Sequence, residues 1–207
     1  MINTTRQGHS YEDKVFGLVK KLIAEKDLPY DSSTCSFHRW KSYESSDRNG
    51  EIRFENVVEL FARGVNQTVG QPSLVIIFEC KAYNNLVDVS EVEEFKAKLD
   101  QIKGFRTKGY ILTQRGFRRG ALNYARANGI GLVRFVPEEQ VQFLLYHMTS
   151  EVMREIRDGF QKRAMEALLN PNYVAHEETE FGADDGYLYR SFEAMVINSI
   201  KKLGAAT

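Results

Sequence analysis

The chain reads as an α/β protein, a mixed β-sheet flanked by helices and followed by a helical C-terminal extension. Three observations predict it. Apolar spacing alternates between helix-like and strand-like, in the order α-β-β-β-α-β-α-β up to Val136. The run Leu74-Val75-Ile76-Ile77-Phe78 is apolar at every position, the mark of a strand covered on both faces. Beyond Pro137 the spacing turns helical. These features divide the 207 residues into a main domain over 1–148 and an extension over 149–207.

The first helix is expected from about Ser10 to Lys26. Ser10 and Asp13 have capping-box spacing, and Val15, Leu18, Val19 and Leu22 recur on one face. Pro29 and Asp31-Ser32-Ser33 end it. Cys35 to Ser42 is aromatic-rich and strand-like, and Asp47-Arg48-Asn49-Gly50 supplies a turn, since Asn-Gly tolerates positive φ. Strands follow at Ile52 to Arg63 and Ser73 to Ala82, joined by a loop containing Gly64, Asn66, Gly70 and Pro72. Val87-Asp88-Val89-Ser90 leads into a helix carrying Val92, Phe95, Leu99 and Ile102. Lys108 to Gln114 is a strand, Phe117 to Asn128 a helix stopped by Gly129, and Ile130 to Val136 another strand. In the extension, helices are expected over Glu138 to His147, Ser150 to Leu169 and Tyr189 to Leu203, with an acidic polar stretch before the last. They carry no chemical signal, and packing or self-association is their default role.

An apolar fraction of 43% with 12% aromatics excludes global disorder. No run of about 18 apolar residues exists, and Met1-Ile2-Asn3-Thr4-Thr5 lacks the basic-then-apolar order of a signal peptide. A soluble, cytoplasmic protein with no membrane partner is expected. Cys35 and Cys80 read as free thiols, and the scattered histidines give no zinc-site spacing. Net charge is zero, yet from Lys103 to Phe135 there is no Asp or Glu among Lys103, Arg106, Lys108, Arg115, Arg118, Arg119, Arg126 and Arg134. A segregated basic face of this kind binds phosphates even when total charge cancels.

The chemistry is concentrated at the end of the apolar strand. On a strand Glu79 and Lys81 project to one face, about 6.6 Å apart along the chain, with Cys80 pointing away. A buried strand has no structural reason to finish in Glu-x-Lys, whereas phosphodiester hydrolysis supplies a chemical one. The carboxylate can hold a divalent metal, and the ammonium can orient water or meet charge growing on phosphate. If the two strands around Gln67 form an antiparallel hairpin with its apex there, Glu55 stands opposite Glu79, with Cβ atoms roughly 5 Å apart. Two carboxylates that close need a cation between them or a proton on one. Glu59 shares the face but lies about 13 Å away. It shares no ion with Glu79, and its replacement by Ala is expected to be nearly silent.

These residues fall within a longer pattern. Gly8-x-x-Tyr11-Glu12 opens the first helix, Phe78-Glu79-Cys80-Lys81-Ala82-Tyr83 ends the strand, and Val87-Asp88-Val89-Ser90-Glu91-Val92-Glu93-Glu94-Phe95 begins the next helix. Gly109 to Phe117, then Gly120-Ala121 and Ala125-x-x-x-Gly129-Ile130, complete it. Over roughly residues 8 to 136 the chain resembles the PD-(D/E)xK nucleases and, within them, the Mrr-like restriction endonucleases. The resemblance implies a restriction-endonuclease-like sheet and a DNA endonuclease with Mg²⁺, or Mn²⁺, held by Glu55, Glu79 and the backbone carbonyl of Cys80. It implies that Lys81 positions or activates water and that Glu12 reaches the site from the first helix. Gln114, Arg115, Arg118 and Arg119, between a strand and a helix, are placed to contact DNA.

The family usually has Asp where this chain has Glu55. That departure keeps a second function open, a non-cleaving nucleic-acid-binding or interaction module on a nuclease fold. A structure-selective repair nuclease or an RNase would use the same residues. A homodimer, or further subunits of a larger defence system, is compatible with the sequence.

Overall fold

The structure is a computed structural model that describes residues 4–25, 32–61, 70–82, 84–137, 159–175 and 178–204. The expected helix over Glu138 to His147, the start of the one from Ser150, the hairpin apex at Gln67 and the 148/149 boundary lie outside the described residues. One seven-stranded sheet organises the rest. Its strands are β1 (Cys35–Glu44), β2 (Glu51–Leu60), β3 (Leu74–Lys81), β4 (Arg106–Thr113), β5 (Gly131–Phe135), β6 (Glu180–Asp184) and β7 (Tyr187–Tyr189), neighbours in sequence order. Pairing is antiparallel from β1 to β3, parallel across β3–β4–β5, and antiparallel again to β7. The fold is the mixed, helix-covered sheet that the sequence predicts.

The helices are α1 (Thr4–Glu25), α2 (Val89–Asp100), α3 (Arg119–Ala127), α4 (Phe160–Leu169) and α5 (Phe192–Gly204). Because α2 and α3 are the crossovers of the parallel strands, both pack on one face. There Val92, Phe95, Leu99, Ala121 and Ala125 meet Val75, Ile77, Ile111 and Leu132, and α4 adds Phe160, Ala164 and Leu168. On the other face Val15, Val19 and Leu22 of α1, with Met195, Val196 and Ile200 of α5, cover Ile76, Phe78, Tyr110 and Leu112. The central strands are therefore buried on both faces, which is why they read as unbroken apolar runs. Close packing of α2 on β4 needs Gly109, where an added Cβ would stand 2.4 Å from a Leu99 methyl carbon.

Local chemistry corrects three expectations. First, α1 begins at Thr4, so Ser10 and Asp13 lie inside the helix and are not its cap. The capping box is instead at Asp88, whose side chain accepts from Val89 N at 2.6 Å while Glu91 accepts from Asp88 N at 2.8 Å. Second, the turn from β1 to β2 falls at Asp47 to Gly50 as expected but uses no positive φ there; among the described non-glycine residues positive φ occurs at Trp40 and Asp185. Third, the polar acidic stretch and the expected start of the last helix at Tyr189 are strand, and that helix begins at Phe192. Glu180–Asp184 and Tyr187–Tyr189 form a hairpin that extends the main sheet from β5. No helix among the described residues is long and apolar enough to cross a membrane.

Two of the predicted basic-face residues are interior. Lys108 sits with its Nζ 2.6 Å from Asp184 Oδ1 and donating to Gly129 O at 2.8 Å. Arg134 is fully buried and donates to the carbonyls of Gln114, Ala167, Asn170 and Pro171, lashing the end of α4 to the turn after β4. Burial, then Arg115, brings its guanidinium down to about 10, so it stays charged at neutral pH.

Candidate active site

The β2–β3 ladder runs Leu60↔Leu74, Glu59↔Val75, Val58↔Ile76, Val57↔Ile77 and Asn56↔Phe78. This is the register of a hairpin with its apex at Gln67, and the next step would set Glu55 against Glu79. The ladder stops one residue short of that pair. The reason lies in β2 itself. Phe54 and Val57, three apart, belong to the same apolar cluster, so the strand changes face at Glu55–Asn56. On β1 the residue that falls opposite Glu55, between the pairs Arg39↔Asn56 and Lys41↔Phe54, is Trp40 with φ 63°. An irregularity of this sort re-aims a side chain beside a strand end.

At the end of β3 the Lys81 Nζ donates to Glu79 Oε1 at 2.9 Å. Lys81 is 9% exposed, so the ammonium is nearly out of water and its charge is fixed against one carboxylate. Glu12 enters from α1 and is likewise nearly buried; Arg39 of β1 holds it at 3.1 Å and reaches Asp13 at 2.7 Å. Glu55 is half-buried between these groups. Its carboxyl is held above the ordinary carboxylate value, first by burial, then by the charges of Glu12 and Glu79, against the opposing pull of Lys81 and Arg39. Burial, with the same three acids, pushes the Cys80 thiol well up. It stays protonated, with Asn56 Nδ2 3.9 Å from its sulfur.

Glu12, Glu55, Glu79 and Lys81 are therefore within electrostatic reach of one another. Arg39 is a member that sequence reasoning missed, because nothing in its local pattern shows that β1 meets α1 at Glu12 and Asp13. Among the described residues no three or more His, Cys, Asp or Glu side chains are assembled as a ready metal cluster. Glu59, whose replacement by Ala is expected from the sequence to be nearly silent, is instead a buried, partnered acid. It is 6% exposed and accepts from Tyr43 OH at 2.8 Å, with His38 Nε2 at 2.9 Å and Lys41 Nζ at 3.5 Å.

Gln114 and Arg115 follow β4, whose last residue Thr113 pairs with Lys81, so they emerge at the same end of the sheet as the Glu79–Lys81 pair. Arg115 reaches Asn84 Oδ1 at 3.5 Å. The turn needs Gly116, with φ 98°, because an added Cβ would lie 2.6 Å from the Leu168 carbonyl oxygen. Val87 and Phe117 then bridge in parallel, which brings the starts of α2 and α3 side by side. Arg118 and Arg119 are exposed there, and Arg118 Nε pairs with Asp88 Oδ2 at 2.9 Å.

A mixed sheet whose central parallel strand ends in Glu-x-Lys, with an acid brought over from the antiparallel neighbour, defines the restriction-endonuclease-like class of nuclease domain. The comparison with family models agrees: residues 51–140 match the Mrr-type catalytic domain described as restriction endonuclease. Over that span the match is consistent with a PD-(D/E)xK catalytic domain of the Mrr-like type. Glu55, Glu79, Lys81 and the Gln114–Arg119 turn lie within the match, and Glu12 lies outside it. No curated protein matches the chain. A solved structure described as a protein of unknown function, AF1548, is similar at a TM-score of 0.41 and 16% identity over 93% of this chain and 98% of that one. Likeness at that level carries no argument.

Proposed function

We propose that this chain is a Mg²⁺-dependent DNA endonuclease acting in restriction or defence. The observation that carries the reading is the Glu79–Lys81 ion pair at the nearly buried end of β3, with Glu55 close enough to feel both charges. The donors suit a hard cation in kind: carboxylate oxygens of Glu55 and Glu79 and the backbone carbonyl of Cys80. The raised carboxyl of Glu55 supports that fit, since crowded acids favour either a proton or a metal. When bound, Mg²⁺ or Mn²⁺ would stabilise charge on the phosphate and lower the pKa of a bound water.

The protein's own groups supply the rest. Lys81 orients the water or meets the charge developing on phosphate, with Glu79 fixing its ammonium. Glu12, braced by Arg39, adds a third carboxylate at the site's edge. Gln114, Arg115 and Arg119 face solvent at the same sheet end and contact the DNA backbone; Arg118 joins them by exchanging Asp88 for phosphate. Incubating the protein with supercoiled plasmid, linear DNA and RNA, each with Mg²⁺, Mn²⁺ or EDTA, tests this. DNA cleavage with either ion and none in EDTA is expected; cleavage unchanged by EDTA would rule the mechanism out.

A second reading, a non-cleaving module that binds nucleic acid, is favoured by one observation. Glu79 and Glu12 each face a protein cation, Lys81 and Arg39. DNA binding without cleavage under every ion would establish it.

A further inference from the structure

Trp40 is the only tryptophan of the chain and, with Tyr187, one of two large hydrophobic side chains exposed among the described residues, at 42%. Its backbone is more telling than its exposure. At φ 63° a bulky residue in mid-strand occupies the left-handed region that glycine and asparagine take at least cost. Such strain persists where the surroundings over-determine it, and it concentrates at functional sites. The β1–β2 register places this residue opposite Glu55. The strained, exposed indole therefore belongs to the residue that falls opposite a candidate catalytic acid, on a strand that among the described residues pairs with β2 alone.

Rings and cations meet at Trp40 and, separately, where β1 meets α1. The Arg53 guanidinium lies 4.6 Å from the indole ring centre. Further along β1 and across to α1, Lys20 Nζ is 4.8 Å from the Phe16 ring and 5.7 Å from Phe37, and Arg39 stands 5.6 Å from Phe16. Phe16 and Phe37 themselves meet edge to face at 6.4 Å. Rings interleaved with positive charge along an open strand are how sequence-tolerant single-strand sites are built. The cations follow the phosphates and the rings stack on bases. A closed duplex hides its base faces, so a stacking ring has a partner only where bases are unpaired.

We propose that Trp40 is a stacking site for an unpaired nucleobase, with Arg53 against its ring and the α1–β1 edge as the track for the adjoining single strand. The nuclease domain thus takes DNA that is single-stranded, tailed or locally opened beside the scissile phosphate. This rests on the nucleic-acid half of the proposed function and is independent of whether the site cuts.

The sole tryptophan makes the site directly readable. In EDTA, where cleavage is off, the full chain is titrated with a thymidine 20-mer and with a blunt duplex of equal length. Both carry a label, so anisotropy reports binding while indole emission reports stacking. The single strand should quench Trp40 in step with binding, and the blunt duplex should quench it little. Trp40→Phe keeps a ring and should bind the single strand within about threefold of the parent. Trp40→Asn suits the left-handed backbone, so it should melt no lower than the parent, yet bind the single strand about 5- to 150-fold more weakly. A uridine 20-mer shows whether the stacking site also accepts RNA, and quenching by either strand upholds it. Binding without quenching overturns the proposal, as does absence of single-strand binding, or a Trp40→Asn loss equal on both DNAs. A protein that cuts nothing but shows the quenching refutes the nuclease reading alone.

Discussion

At Glu55 the fold disfavours the charged form. Its folded-state carboxyl is raised, by burial first and then by Glu12 and Glu79, above the ordinary value of 4.5. For a raised acid, the stability present below the ordinary value is lost as pH climbs through the folded one. Metal-free protein should therefore lose stability through this group as pH rises above about 4.5. Glu55→Gln should flatten that loss and melt higher than the parent at pH 7 in EDTA. Adding Mg²⁺ should stabilise the parent more than the variant, and binding should weaken as pH falls and protons compete for Glu55. A variant that melts lower at pH 7 would mean that the carboxylate is held by partners rather than crowded. At Lys81 the expectation is kinetic. Removing one preorganised charge typically costs about 10²- to 10³-fold in rate. Lys81→Ala should cut at least about a hundred-fold more slowly while binding DNA within a few-fold, measured by single-turnover cleavage and anisotropy. Parent-like cutting would make the Glu79–Lys81 pair incidental.

At the scale of elements, what was legible followed from local pattern. The run from Leu74 to Phe78 marked the central strand, and counting back from an apex at Gln67 gave the observed register, Asn56↔Phe78 included. Gly129, at φ 65°, ends α3 as its position implied. What was not legible depended on contacts remote in sequence. Arg39 reaches an acid 27 positions away, and no local spacing announces the face change at Glu55 or the left-handed Trp40. Glu59 shows the consequence most plainly. Seen along its strand it was a spare acid; in three dimensions it unites three side chains of β1, and burial together with its charge drives the Tyr43 hydroxyl far above its usual pKa. Glu59→Ala should therefore not be silent. It strands a buried hydroxyl, which costs about 1–3 kcal/mol. Urea unfolding should show the lower midpoint, with cleavage little changed at temperatures where the variant is folded. An unaltered midpoint would mean that water replaces the carboxylate at no cost.

For the molecule as a whole, the question is whether residues 149–207 are an appendage. Their strands say how they are attached: β6 pairs with β5 over Leu132 to Phe135, so the nuclease sheet does not end where the expected extension begins. A buried charge ties the two together more strictly. Lys108, 7% exposed on β4, is neutralised by Asp184 of β6, whose other oxygen accepts from Ser199 Oγ of α5 at 2.7 Å. Three elements thus meet on one ion pair. Removing one partner of a buried pair costs about 3–5 kcal/mol, because the survivor stays buried without its counter-charge. Asp184→Leu should therefore melt lower by on the order of 10 °C for a chain of this size. Lys108→Met added to it removes the orphaned charge and should recover much of the loss, since well-packed apolar replacements of such pairs are often neutral. A chain truncated after residue 148 combines both injuries, an unpaired edge on β5 and an uncompensated Lys108. It should fail to give a cooperative melt or to bind DNA. A truncated chain that unfolds cooperatively near the parent's midpoint would mean that the tail is an addition to a self-sufficient nuclease domain rather than one of its walls.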